Sequence, residues 1–116
     1  MARAVAYVPD LLFGSHVVGS LQSGGHEPVL VSNAADLAAA LPGADILVVD
    51  LTAEPRERIA AVEFAMGPDG PRTLAFYSHV EHDVRALAEQ AGFDLVVPRS
   101  RMARAGAELV TQLVGA

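Results

Sequence analysis

Three of the eight basic residues, Arg99, Arg101 and Arg104, crowd into one short stretch near the C-terminus. Guanidinium groups so placed can hold an anion or dock a partner. At the start of a helix they oppose the macrodipole by about a few tenths of a kcal/mol, which makes a use beyond solvation worth seeking. His79 and His82 stand one helical turn apart with Glu81 and Asp83 beside them. A metal site there lacks a third placed ligand, so the pair reads as a solvated face. His16 and His26 are isolated from each other, and His26 sits in a turn where packing is its expected role. Ser78 precedes Glu81 by three residues, the spacing of a capping box. Asp50 closes the run Ile46-Leu47-Val48-Val49, where a carboxylate ordinarily accepts backbone hydrogen bonds from the next loop.

What is missing excludes more. The chain has no cysteine, so disulfides, thiolate nucleophiles and cysteine-based zinc sites are out. Every basic residue is arginine, which removes the phosphate-loop, Schiff-base and general-base lysines. No Gly-x-Gly-x-x-Gly fingerprint is present, and Gly14, Ser15 and Gly19 do not make a phosphate loop.

The elements that position these residues follow from a 116-residue chain that is 52% hydrophobic and carries a formal charge of −6. That size supports one domain, residues 1–116, with a core of its own. The negative field disfavours nucleic acid. No apolar run reaches the roughly 20 residues that span a bilayer, and no export signal opens the sequence, so a cytoplasmic protein without a membrane role is expected.

Apolar runs at Ala4 to Val8, Pro28 to Val31, Asp45 to Asp50, Thr73 to Tyr77 and Asp94 to Val97 alternate with segments of helical periodicity. Several runs are continuous, as strands buried on both faces require. The first helical segment spans Leu11 to Ser23, although Gly14 and Gly19 each weaken it by about 1 kcal/mol relative to alanine. Asn33 caps the second, with Leu37 and Leu41 inward and Pro42-Gly43 ending it. Thr52 and Pro55 open the third, whose inward stripe is Ile59, Val62 and Met66; Phe64 lies off that stripe. Ser78 to Glu81 opens the fourth, with Val80, Val84, Leu87, Ala88 and Ala91 on one face up to Gly92. Ser100 caps the last, with Met102, Leu109, Val110, Leu113 and Val114 inward. Right-handed crossovers make this alternation an α/β doubly wound, flavodoxin-like fold, a five-stranded parallel sheet in the order 2-1-3-4-5, with function at the carboxyl ends of the strands.

The βα pattern, the stretch Leu-Gln-Ser-Gly-Gly-His-Glu-Pro-Val, the run Ala-Asp-Ile-Leu-Val-Val-Asp-Leu and the approach Ala-Gly-Phe-Asp-Leu-Val-Val together resemble a response-regulator receiver domain, the phosphoacceptor module of two-component signalling. The resemblance covers the whole chain. It implies that Asp50 is the equivalent of the phosphoacceptor and Ser78 the equivalent of the phosphoryl-contacting hydroxyl. It also implies an acidic magnesium-binding pair, which falls on Val8-Pro9, with Asp10 one position too late. The family lysine falls on Arg99 or Pro98, depending on whether the chain is aligned through Gly92 or Asp94.

The resemblance therefore implies a pseudo-receiver: a signalling module rather than an enzyme, without cofactor or metal, in which Arg99 holds Asp50 as a permanent ion pair. Its partner, a protein or a second copy, is expected on the face of the fourth helix, fifth strand and last helix, including Val84, Leu87, Asp94 to Val97, Arg101 and Arg104. Two alternatives stand beside it. One is a phosphorylatable single-domain response regulator, with Asp10 and a shifted ligand set recruiting magnesium. The other is a flavodoxin-like small-molecule-binding domain.

Overall fold

The computed structural model describes residues 2–78 and 80–115. Its strands are β1 (Arg3–Tyr7), β2 (Glu27–Val31), β3 (Ile46–Asp50), β4 (Arg72–Tyr77) and β5 (Leu95–Pro98). The helices between and after them are α1 (Leu11–Ser23), α2 (Ala34–Ala40), α3 (Pro55–Ala65), α4 (His82–Gln90) and α5 (Arg99–Gly115). The strands form one sheet in the order β2-β1-β3-β4-β5, with every pairing parallel. This is the expected doubly wound topology, and each strand lies within about a residue of its predicted run.

Two core layers explain the continuous hydrophobic runs. On one face Ala4, Ala6, Ile46, Val48, Leu74 and Phe76 pack against Val17 and Leu21 of α1 and Met102, Leu109 and Val110 of α5. On the other, Val5, Tyr7, Leu47, Val49, Ala75 and Tyr77 meet Leu37 of α2, Ile59 and Val62 of α3, and Val84 and Ala88 of α4. All five residues of β3 are buried because helices cover both sides. Each fully buried Val, Leu, Ile or Phe contributes roughly 1.5–3 kcal/mol from water exclusion.

Two pairs of neighbouring strands are tied at the amino edge of the sheet by the same device. Arg3 N–H of β1 donates to Asp45 Oδ2 at 2.8 Å, and Thr73 N–H of β4 donates to Asp94 Oδ2, also at 2.8 Å. In each case a left-handed glycine, Gly43 at φ 83° or Gly92 at φ 91°, turns the chain into the strand two residues before the aspartate.

The glycines did not prevent α1. A Cβ on Gly14 would lie 3.2 Å from the Leu30 methyls and 3.3 Å from the Val8 carbonyl oxygen, so glycine lets the helix sit close on the sheet. Other local readings are corrected. Helix α4 starts at His82, and the Glu81 N–H donates to the Ser78 carbonyl at 2.9 Å. The capping box is therefore not formed: Glu81 is the N-cap, with no side-chain cap bond. Val80 precedes the helix and is 69% exposed instead of facing the core. His79 lies outside the described residues. Ser100 sits inside the first turn of α5 because β5 runs straight into the helix at Arg99. Val114, near the end of that helix, is exposed. The described helices include none long and apolar enough to cross a membrane.

Candidate functional site

Asp50 is the last residue of β3 and is 1% exposed at the carboxyl edge of the sheet. A charge so placed is costly unless paired and hydrogen-bonded. Both of its carboxylate oxygens are engaged. Oδ1 accepts from the Thr52 N–H at 2.8 Å and from the Thr52 hydroxyl, an Asx-type turn that draws the loop over the strand end. Oδ2 lies 3.3 Å from Arg58 Nη1, which also donates to the Asp50 backbone carbonyl at 3.0 Å. Thr52 is thus spent on the aspartate, and α3 opens at Pro55 with Glu54 as its N-cap residue.

Arg58 comes from the first turns of α3 and is 8% exposed. Helical side chains lean toward the N-terminus of their helix, and this direction carries the guanidinium back over β3. Its Nη2 is 3.9 Å from Glu54 Oε1. Glu54 has φ 46° and ψ 50°, the only non-glycine residue in the left-handed region among those described.

The remaining sequence candidates do not join this cluster. Asp10 caps α1, its Oδ1 accepting from the Phe13 N–H at 3.0 Å. The Arg99 guanidinium carbon sits 4.3 Å above the Phe13 ring, a cation–π contact. Phe13 in turn packs on Phe76 at a centroid distance of 5.1 Å. The expected Arg99–Asp50 pair is therefore replaced by Arg58–Asp50: Arg99 has an aromatic seat on α1, while Arg58 approaches Asp50 from α3. Ser78 is half-buried directly after β4, and its carbonyl accepts from the Glu81 N–H. His26, expected to pack, also bonds: its Nδ1 accepts from the Ala2 N–H at 3.3 Å, and its Nε2 lies 3.0 Å from the Thr111 hydroxyl.

The expected partner face is narrower than its sequence suggested. Val84 is 3% exposed because it fills the α4 side of the core, and Leu87 is half-buried on the same cluster. Val97 is buried and the Asp94 carboxylate is held by Thr73. Asp94, Arg101 and Arg104 are exposed, with Arg85 and Glu89 exposed beside them on α4. Glu89, 3.4 Å from Arg85 Nε, is the main cause that raises the already high pKa of Arg85, with Tyr77 adding to it. A raised cation is stabilising below its unfolded pKa and loses that only above its folded one. Both values lie far above neutrality, so Arg85 adds no pH dependence there.

Solved structures share the whole architecture. The receiver domain of the Francisella response regulator 1452 aligns over 99% of this chain and 98% of its own, with a TM-score of 0.83 at 8% sequence identity. A response regulator receiver protein from Burkholderia phymatum aligns over 99% and 96%, with a TM-score of 0.82 at 18% identity. A response regulator from Thermotoga maritima aligns over 100% and 99%, with a TM-score of 0.77 at 15% identity. The fold is that of response-regulator receiver domains. Neither a protein-family model nor a curated protein matches the sequence.

Receiver chemistry, as the resemblance implies it, needs a magnesium ion, and the residues at this edge do not fit one. A hard cation wants several oxygen ligands. Val8 and Pro9 offer no side-chain oxygen where the acidic pair should stand, Asp10 is used as a helix cap, and Asp50 faces a guanidinium. No group of three or more metal-ligating side chains occurs among the described residues. A cleft of about 610 Å³ lies at the opposite, amino edge, lined by Pro42, Gly43, Asp45, Gly67, Asp69 and Arg72, away from Asp50.

Proposed function

We propose that the chain is a receiver-type module of two-component signalling that works by binding a protein partner or a second copy of itself, without taking a phosphoryl group. The observation that carries this reading is the occupied Asp50 carboxylate. Phosphoryl transfer to an aspartate needs a free oxygen lined up with the donor and a cation shared with the phosphoryl group. Here one oxygen is bound by Thr52 and the other by Arg58, whose fixed fork cannot bridge ligands as a metal ion does.

In this reading residues 1–116 are one unit that performs no reaction of its own, holds no cofactor and works in the cytoplasm. The partner meets the exposed charges of α4 and α5, namely Arg85, Glu89, Arg101 and Arg104, around the half-buried Leu95 and Val96 of β5. The formal charge of −6 on the whole chain disfavours nucleic acid as the partner.

Incubation with acetyl phosphate and magnesium, read by intact mass, tests the absence of phosphotransfer. The expected spectrum shows the unmodified mass alone. An added phosphoryl group that disappears in Asp50→Asn would establish the phosphorylatable regulator instead.

A further inference from the structure

The loop between β3 and α3 combines three features that one arginine connects. Thr52 is tied back to the Asp50 carboxylate, and Pro55 has its φ fixed by the ring and opens the helix. Only Ala53 and Glu54 remain to complete the reversal. Glu54 does so in the left-handed region, where an L side chain crowds its own backbone, and directly before a proline, which narrows its choices further. Such a conformation persists only where the surroundings over-determine it.

Arg58 supplies that determination. Its Nη1 is anchored on both the carboxylate and the carbonyl of Asp50, its Nη2 faces the Glu54 carboxylate, and its own N–H donates to the Glu54 carbonyl at 3.1 Å. The anchors fix how far the first turn of α3 stands from the end of β3, and four residues must close that span.

We propose that Arg58 is a strap that holds the β3–α3 loop in one strained conformation, so that this rim of the carboxyl edge presents a single fixed surface. The inference rests on reading the chain as a module that takes no phosphoryl group, because the strap's anchor is the Asp50 carboxylate that this reading leaves paired with Arg58. Its test concerns the loop alone and is independent of phosphotransfer.

Glu54→Gly and Arg58→Met are compared singly and together by urea unfolding. Glycine relieves the left-handed strain, so Glu54→Gly in the otherwise native chain should lower the unfolding equilibrium constant about threefold. With the strap cut in Arg58→Met, the loop relaxes without help, and adding Glu54→Gly should then change that constant by less than about 1.5-fold. Equal gains in both backgrounds would overturn the proposal. Should Arg58→Met fail to fold, Arg58→Lys retains the charge but lacks the second guanidinium nitrogen that faces Glu54 while the first holds Asp50. Amide exchange at Thr52 should then be roughly tenfold faster than in the native chain, and unchanged exchange would be equally fatal.

Discussion

One turn into α3, a charged side chain stands where the periodicity calls for an apolar one. Counting from Ile59, Val62 and Met66, position 58 falls on the inward face, next to Ile59 and one turn before Val62. An arginine there must be paired if buried, and the nearest acid at a strand end is Asp50. That signal is present in the sequence, but a stripe defined by hydrophobic members passes over it, and the family resemblance points to a cation after β5 instead. Arg99 instead found an aromatic ring, a contact with no sequence spacing to announce it. Asp10 was legible as an acid near the site, yet its distance from Phe13, three residues, is that of an N-cap. Asp10→Ala should therefore lower stability by about 1 kcal/mol in thermal or urea unfolding, the ordinary cost of a lost cap. A loss several times larger would mean that Asp10 has a role beyond the helix end.

The elements themselves were largely written in the pattern. Continuous runs such as Ile46 to Val49 permit little other than a strand covered on both faces, and Asn33 caps α2 as its spacing indicated, with its Oδ1 accepting the Asp36 N–H at 2.8 Å. Helix starts were harder to read. Ser78 and Glu81 have capping-box spacing, but β4 runs through Tyr77 and the chain needs a turn before it can enter α4, so tertiary geometry displaced the start to His82. The packing of α5 on the α1–β2 turn was not legible at all. A Cβ at Gly24 would come within 2.4 Å of the Ala107 Cβ, a contact set by two segments distant in sequence. Neither neighbour is the far end of a flexible chain, so Gly24→Ala must push α5 outward, with an expected loss of about 1–3 kcal/mol in urea unfolding. Gly19 meets nothing within 4 Å, and Gly19→Ala should be neutral or stabilising in the same measurement.

Across the molecule, the sheet order and its two core layers carry a receiver-type scaffold, while the residues at its carboxyl edge depart from the set that the resemblance implies. Val8 and Pro9 fill positions that would otherwise hold acids, and Arg58 brings a permanent cation to the one acid that remains. Val8 is fully buried in the core, and the buried aspartate keeps a counter-charge. Under the proposed function, Arg58 stays on Asp50 and the edge is held in one state. The most direct measurement is a titration with magnesium and beryllofluoride, a phosphoryl mimic, followed through the backbone amide NMR signals of Asp50, Thr52 and Ser78. The account predicts that these signals stay in place throughout the titration. A saturable shift at all three, abolished in Asp50→Asn, would contradict it.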